Sequence, residues 1–450
     1  MSRRSPLLRA VGRVAPWQAV SRGAAALLPI LLATWFGRSA ATDLYSLMAA
    51  VFVLAGSMVF ACFQDSALIR VVLDVERDDR PSLPSLAGAL LAYTLLGASV
   101  LAAVVGAAAF AVIRARTAPA LGALVGPMSA GFSLYLFSLA LRSLFSSLLA
   151  ARFRFVTESV GMAIGSCAAV GLALALRGRG VAVMPFALAG GELVAAAALF
   201  GSLCQAGLRP RLTWRRSPAL RRLAGLVVSE IGGAAVVRAN PLVDQLSAQT
   251  LGIVGGGTML RLSGDLGHAG ASLLGPLFLS ILLSHLAMAG ARGDYRDFRA
   301  TLARSLATVT LLLAAVAVVA GLLRGPLVRA VYGRGAMDAA ALVRIADVLP
   351  YHLVGLAPLG ALMVLARAHV SLGNSRILVG MGALNATANL LLNVILSRVM
   401  GLEGIALATS IVCTLVAVVF WIRLRGLLPA PGAPASPPVP VPVPVPERPA

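Results

Sequence analysis

Long apolar runs separated by short polar connections make up most of this chain. Each run has about 20 residues or more, which is enough for a helix to cross the hydrocarbon core of a bilayer. The runs do not alternate apolar and polar residues, so they do not resemble strands of a membrane barrel. We predict twelve helical spans, at residues 17–37, 44–64, 86–113, 120–148, 157–176, 181–205, 223–249, 257–288, 304–323, 341–365, 377–397 and 402–422.

The connection at residues 206–222 is unusually basic and divides the spans into two sets of six. We therefore predict an all-α integral membrane protein, with about 12 transmembrane helices in two six-helix lobes around a central cavity. The lobes are residues 1–205 and 223–428. Many transporters are built from such repeats, with the substrate site between the halves.

Two further segments are predicted to lie outside the spans. Residues 291–304 carry alternating acidic, basic and aromatic residues, which favour an interfacial helix on the inner membrane surface. Residues 429–450 are Pro-rich with a Val-Pro repeat, which predicts a disordered or polyproline tail. A docking role for this tail is the less favoured alternative.

The composition agrees with a membrane protein and explains the high positive charge. The chain is 59% hydrophobic and 12% charged, with a mean hydropathy of +0.90 and a net charge of +21. All 38 basic residues are Arg, and most lie in the connections between apolar runs. Such placement is typical of membrane topology rather than of a nucleic-acid-binding face, so we expect no nucleic-acid partner.

The arginines also predict an orientation. If the N-terminus is cytoplasmic, the inner connections together with both terminal flanks carry 23 arginines, and the outer connections carry ten. Because basic residues are enriched on the cytoplasmic side, both termini are expected to be inside.

Several chemistries lack the residues that they need. Without Lys there is neither a Walker P-loop nor a Schiff-base lysine. The four Cys fall in apolar runs without a CxxC pair, and the four His form no HExxH motif. We therefore expect no enzyme activity, no metal and no cofactor, with a coupling ion of unknown identity as the one possible exception.

Four arginines lie in or beside apolar runs: Arg22, Arg142, Arg238 and Arg261. A cation in hydrocarbon costs at least about 2.5–3.5 kcal/mol, so such residues usually face a protein cavity. They are candidates for binding an anionic, pyrophosphate-bearing cargo, because the guanidinium fork can donate two hydrogen bonds to phosphate. Alternatives remain for each: snorkelling for Arg22, ion pairs for Arg261 and Arg238, and the end of a span for Arg142.

Polar residues in or beside the runs are candidates for gating or ion coupling. Asp43 is expected at the outer mouth, where it either caps a helix or forms a gate salt bridge. Intramembrane carboxylates can bind a coupling ion or form internal pairs. These further candidates are Asp244, Asp265, Glu192 and Glu230.

Three segments of the second half carry recognisable motifs: Tyr332 to Asp338, Ala366 to Arg376, and Gly404 to Ser410. They are similar to the FGRGAFD turn, the ARAFYALGDTR segment and the GLALATS segment of one known family. That family, which the chain resembles, is the MurJ/MviN lipid II flippases of the multidrug/oligosaccharidyl-lipid/polysaccharide exporter superfamily. Asn389 and Asn393 match its LNIVLN pattern; interhelical hydrogen bonding is favoured over cavity lining for them. The motif residues that we single out are Gly333, Arg334, Gly335, Arg367, Gly373, Asn374, Arg376, Asn389 and Asn393.

The resemblance extends over roughly residues 17–425 and includes Ser21-Arg22 at the start of the first helix. Family arginines are missing at two places, however. A second Arg of the first helix is replaced at Leu28, and the Arg pair of the second helix at Gly56 and Ser57.

The resemblance implies a flippase that moves lipid II across the bacterial inner membrane by alternating access. Its partners would be a polyprenyl-pyrophosphate-linked glycan, the lipid bilayer and possible cell-envelope synthesis proteins. The alternatives are a flippase for another lipid-linked glycan of the O-antigen or capsule type, a drug/cation antiporter of the same superfamily, and a non-transporting scaffold.

Overall fold

The structure is a computed structural model, and it describes residues 6–63, 68, 71–75, 82–152, 154–214, 218–221, 223–224, 239–291, 294–374 and 376–428. Within this part the long elements are all helices. They are α1 (Pro6–Phe36), α2 (Ala40–Phe63), α3 (Leu83–Arg116), α4 (Pro119–Ala151), α5 (Phe155–Leu176), α6 (Met184–Gln205), α7 (Asn240–Thr250), α8 (Gly256–Ala291), α9 (Tyr295–Leu322), α10 (Arg324–Tyr332), α11 (Ala339–Val354), α12 (Leu356–Ser371), α13 (Ile377–Met400) and α14 (Leu402–Leu427).

Ten helical segments of the described residues are long and apolar enough to cross a membrane. They correspond to ten of the twelve predicted spans and confirm the all-helical membrane fold. The predicted span at 257–288 corresponds to α8. Of the span predicted at 223–249, α7 covers the end, while residues 225–238 lie outside the described residues.

One predicted element is wrong. Residues 295–304 do not form a separate interfacial helix but are the first turns of α9. Asp294 caps this helix, because its side chain accepts a hydrogen bond from the backbone N–H of Asp297 at 2.9 Å. Polar residues in the first turns concealed the continuity of this helix in the sequence.

The span predicted at 341–365 is broken in its middle. α11 ends at Val354 and α12 begins at Leu356, with Gly355 between them. A Cβ on Gly355 would lie 2.8 Å from the Cα of Ser410, and the Ser410 hydroxyl donates a hydrogen bond to the carbonyl of Tyr351. The break is therefore held by α14, which packs closely against it.

The internal contacts divide the described residues into two compact units. Unit 1 contains those of Met1–Met259 and Arg329–Leu342, and unit 2 contains those of Leu260–Val328 and Val343–Ala450. The segment Arg329–Leu342 thus belongs with residues far earlier in the chain. The predicted division of the spans at 206–222 describes membrane topology and stays a prediction.

Small residues bring α5 and α6 of unit 1 close together. A Cβ on Gly165 would lie 2.7 Å from the carbonyl oxygen of Gly191, and a Cβ on Gly191 would lie 2.7 Å from that of Gly165. Ala169 and Ala195 continue the same seam. Because lipid tails are as apolar as side chains, close backbone packing of this kind is a main source of helix association in membranes.

Aromatic rings fill the contact between α2 and α4 in unit 1. Phe52 stacks on Phe132 with ring centroids 5.3 Å apart, and Tyr45 contacts the same ring at 5.3 Å. In unit 2, α12 packs against α9 and α14, and α14 also packs against α13. The outward surface of α9 carries exposed apolar residues such as Leu311 and Leu322, as expected of a helix that faces lipid.

Candidate functional site

A buried carboxylate joins α2 to the beginning of α8. The Asp43 side chain accepts hydrogen bonds from the backbone N–H of Gly255 at 2.6 Å and from that of Thr258 at 2.8 Å. The Thr258 hydroxyl also donates to Asp43, at 3.0 Å. These donors lie at the N-terminus of α8, where unpaired N–H groups and the helix dipole favour a negative charge. Asp43 thus makes the helix-capping contacts; a role at a gate stays a prediction.

Next to Asp43, the turn between α1 and α2 meets the turn between α10 and α11. The Arg38 Nε donates to Asp338 Oδ2 at 2.9 Å, and the Ala336 N–H donates to the carbonyl of Thr34 at 2.7 Å. Gly335 has a φ of +73°, and a Cβ there would collide with the carbonyl of Thr34. We call Arg38, Asp43, Gly255, Thr258 and Asp338 the Asp43 cluster.

The Asp338 carboxylate makes two contacts in this cluster. Besides pairing with Arg38, its Oδ1 accepts a hydrogen bond from the backbone N–H of Ala341 at 2.6 Å, at the start of α11. The Ala341 hydrogen bond, with help from Arg38, lowers the pKa of the Asp338 carboxyl below its usual range. The carboxylate therefore stays charged at neutral pH and holds both partners.

Arg142 lies inside the helix bundle of unit 1, well within α4 rather than at the end of a span. Its side chain is 4% exposed, and Nε forms an ion pair with Glu192 on α6. One terminal nitrogen also lies 3.1 Å from the sulfur of Met162 on α5. Nearby, the Ser146 hydroxyl donates to Glu158. Arg142 and Glu192, predicted separately as a cargo ligand and an ion-coupling group, are thus partners of each other.

Arg22 lies near the middle of the apolar part of α1 and is half-buried. Its neighbour Ser21 hydrogen-bonds to Ser166 on α5, with 2.9 Å between the hydroxyl oxygens. This contact fixes the rotation of α1 against α5. A role of Arg22 in binding the cargo stays a prediction, which is based on its chemistry and on its match to the family's Ser-Arg position.

The places of the missing family arginines on α2 are closely packed. A Cβ on Gly56 would lie 2.9 Å from Cδ2 of Leu139 on α4. Ser57 is 1% exposed, and its hydroxyl donates to the carbonyl of Leu54 at 2.6 Å. An arginine at either place would have to displace surrounding side chains, at Gly56 that of Leu139.

Unit 2 gathers four titratable or charged residues on α8 and α11. Arg261 is half-buried, and its charge acts on Asp265 one helical turn later. His268 follows on α8, and its ring lies 5.4 Å from that of His352 on α11, measured between centroids. Arg261 and Asp265 are recognisable candidates in the sequence, whereas the two histidines are not, because an isolated His in an apolar run usually has a structural role.

Three further candidates from the sequence are Arg238, Glu230 and Asp244. Arg238 and Glu230 lie outside the described residues. Asp244 lies on α7 and is half-buried. On the same helix, the Gln245 side chain donates to the carbonyl of Gly257 at 3.1 Å, which ties α7 to the first turn of α8.

The motif residues of the C-terminal half shape helices and turns. The fully buried Asn393 donates to the Asn389 side chain at 3.1 Å, and Asn389 reaches the Thr409 hydroxyl on α14 at 3.5 Å. Gly373 has a φ of +75° at the end of α12, where the Asn374 N–H bonds the carbonyl of His369 at 3.0 Å. The motif arginines, in contrast, have exposed side chains. They are Arg334, Arg367 and Arg376.

The fold and these contacts together define a class of protein: a multi-pass helical membrane protein with charged side chains inside its helix bundles. Several solved structures of transporters have the same fold. A structure described as lipid II flippase MurJ in an inward closed conformation has a TM-score of 0.75 at 16% identity, covering 92% of this chain and 87% of that chain. An inward-facing multidrug resistance MATE family transporter of the MOP superfamily has a TM-score of 0.75 at 12% identity, covering 93% and 98%.

A third similar structure is a MOP superfamily transporter from Pyrococcus furiosus, with a TM-score of 0.67 at 13% identity, covering 93% of this chain and 95% of that chain. At these identities the structures establish the fold alone. A comparison with curated protein sequences gives no significant match.

The family model described as lipid II flippase MurJ matches residues 76–433, which is most of the chain. The chain therefore belongs to the MurJ lipid II flippase family.

Proposed function

We propose that this chain is a flippase that moves lipid II across the bacterial inner membrane. The observation that carries the proposal is the family match over residues 76–433. The multi-pass helices, and the arginines such as Arg22 and Arg142 that lie within them, support it. The cargo would be a polyprenyl-pyrophosphate-linked glycan, and both termini would lie in the cytoplasm, as the arginine distribution indicates.

The head group of such a lipid is anionic and hydrophilic, so its passage requires a polar, cationic route. Arg22 is the residue that we propose as a pyrophosphate ligand, with Arg261 as a second one. A guanidinium stays charged and can donate two parallel hydrogen bonds to phosphate oxygens. Arg142 is a weaker candidate, because its ion pair with Glu192 already neutralises much of its charge.

The transport cycle would proceed by alternating access without covalent chemistry. We propose that the Asp43 cluster closes the outer side, and that its hydrogen bonds break when the protein opens outward. The Arg38–Asp338 pair is well suited to this role, since it is partly exposed and an exposed ion pair contributes little to stability. Such a contact can be broken and remade in every cycle.

Complementation tests this proposal. The resident lipid II flippase of a bacterium is depleted, the full chain is produced at verified levels in the membrane, and survival and inner-leaflet lipid II are measured. We expect the wild-type chain to restore growth and to prevent lipid II from accumulating. Arg22→Ala is expected to abolish rescue, and Arg22→Lys to restore it partly, because Lys keeps the charge but loses the planar fork.

The matched control is Arg209→Ala, which removes an exposed arginine of the 206–222 connection and is expected to leave rescue intact. Failure of the wild-type chain at normal membrane levels would reject lipid II as the cargo. Full rescue by Arg22→Ala would retain the function but remove Arg22 from the cargo site.

A second candidate cargo is another polyprenyl-linked glycan, of the O-antigen or capsule type. The observation that favours it is the replacement of the family's Arg pair by the closely packed Gly56 and Ser57. Rescue of an O-antigen flippase deficiency, without rescue of lipid II transport, would establish it. The similar fold of drug transporters by itself does not favour a cationic drug as the cargo.

A further inference from the structure

Two histidines from different helices meet inside unit 2. The rings of His268 on α8 and His352 on α11 are 5.4 Å apart between centroids and inclined by 69°. His352 is only 5% exposed, and among the described residues neither of its ring nitrogens completes a hydrogen bond. The carbonyl of Leu260 faces the ring without closing such a bond. Leaving a buried polar group without a partner is unfavourable, so its presence points to a ligand.

α8 has the residues that make room for this ring. A Cβ on Gly264 would lie 3.5 Å from both Cε1 and Nε2 of His352. A Cβ on Gly267 would lie 2.8 Å from the Cβ of His352. The two glycines are three residues apart and so lie on the same face of the helix. Larger side chains at these places would displace the imidazole from α8.

The hydrogen bonding of His268 leaves it able to accept a proton. Its Nδ1 lies 2.8 Å from the carbonyl oxygen of Gly264. A carbonyl only accepts hydrogen bonds, so Nδ1 carries the hydrogen of the neutral ring. The lone pair of that ring is then on Nε2, which is the atom that binds an added proton.

Charged groups of both signs lie around the pair. Asp265, one turn before His268 on α8, acts on His268 with its negative charge, and Arg261 offsets part of that charge. Among the described residues, the group whose charge acts on His352 is His268 itself. Arg344 lies about two helical turns before His352 on α11, and it pairs with Glu403 of α14 at 2.8 Å. Two residues after His268, at Gly270, α9 and α12 place aliphatic side chains against α8. They are Leu313, Val316 and Leu356.

We propose that the His268–His352 pair is a proton-binding site, and that loading it with one proton is a step of the transport cycle. The second part rests on the proposed function. The proton would come from water on one side of the membrane, bind an imidazole nitrogen, and return to water on the other side, with no oxidation or reduction. A second proton is disfavoured, since two imidazolium ions at this separation repel each other. Within the described residues no group of three His, Cys, Asp or Glu could hold a metal ion instead.

The site is tested first without transport. The full chain is labelled with ¹⁵N-histidine, placed in lipid nanodiscs and titrated by NMR, with each signal assigned from single His→Gln variants. We expect the titration to show one proton bound to the pair and shared by the two rings. His268→Gln should move the midpoint of His352 by about one pH unit or more, and His352→Gln that of His268, because coupled groups titrate as a pair. Independent titration of the two rings would overturn the site.

The chain offers two matched controls. His285 is exposed on α8, and His369 is bonded to the carbonyl of Phe420 at 3.0 Å. His285→Gln should leave both midpoints of the pair unchanged, and the His369 signal should not respond to His268→Gln. A cooperative thermal unfolding transition shows that each variant is folded. If His352→Gln does not fold, His268→Gln, which changes the less buried ring, still tests the coupling through the titration of His352.

Coupling to transport is tested in proteoliposomes that contain fluorescent lipid II. A pH gradient should accelerate the appearance of lipid II in the outer leaflet for the wild-type chain and for His285→Gln. His352→Gln should lose that acceleration. If the rate of lipid II movement by the wild-type chain did not change with the pH gradient, the proposed coupling would be wrong. Absence of any lipid II movement would overturn the proposed function, while the NMR titration would still decide whether the proton site exists.

Discussion

At the scale of single residues, Asp43 shows how one carboxylate can hold a helix end. It receives hydrogen bonds from two backbone N–H groups and one hydroxyl at the start of α8. Its 6% exposure shields these bonds from competing water. The sequence shows that Asp43 lies near the first polar turn. That it caps α8, and not another helix, follows only from the three-dimensional packing.

Asp43→Asn is expected to lower the free energy of unfolding by about 1–2 kcal/mol, since the amide has the same shape but loses the charge that faces the helix N-terminus. Thermal unfolding in detergent measures the effect. Asp347→Asn is the control, because its partner Arg324 is 3.9 Å away and both side chains are exposed. Equal effects of the two substitutions would contradict the capping role.

The buried pair of Arg142 and Glu192 allows a second test at this scale. Arg142→Met leaves a carboxylate without its partner inside the bundle and should cost about 3–5 kcal/mol. The double variant Arg142→Met with Glu192→Leu should recover much of that loss, because no uncompensated charge remains. Unfolding of all variants in the same detergent gives the coupling. A double variant no more stable than Arg142→Met would show that Arg142 is not held mainly by Glu192.

At the scale of elements, glycines decide how closely helices approach. Gly165 and Gly171 lie on the same helix, α5, but a Cβ on Gly165 would meet α6, whereas one on Gly171 has nothing within 4 Å. The sequence contains both glycines without distinguishing them. The difference appears only when α6 is in place.

Gly165→Ala is therefore expected to destabilise the protein by about 1–3 kcal/mol through overpacking. Gly171→Ala should instead be neutral or stabilising by up to about 1 kcal/mol, because Ala favours the helix. Thermal unfolding and the amount of folded protein in membranes compare them directly. If Gly165→Ala were as stable as Gly171→Ala, the close seam between α5 and α6 would be refuted.

At the scale of the whole molecule, the turn at 333–338 is separated in sequence from the residues that it contacts. It packs in unit 1 against Thr34 and Arg38 at the end of α1, about 300 residues earlier. If the proposed outward opening breaks this contact, a covalent link across it must stop transport.

We expect that Arg38→Cys with Asp338→Cys, in a chain whose own four Cys are replaced, loses complementation when joined by a short thiol-cleavable cross-linker. Complementation should return on cleavage, and the two single-Cys variants should ignore the reagent. Growth under lipid II flippase depletion is the measurement. Continued growth with quantitative cross-linking would show that this contact stays closed throughout the cycle.

The sequence by itself determined the helical membrane fold, since apolar runs of bilayer length allow few other structures. It also determined the family, through motifs whose glycines and asparagines shape turns and helix contacts. The tertiary structure decided which side chains are partners: Arg142 with Glu192, Asp43 with α8, and His268 with His352. These pairs join residues far apart in the chain. Hydropathy and spacing describe each helix alone, whereas ion pairs, caps and paired imidazoles depend on the rotation and separation of neighbouring helices.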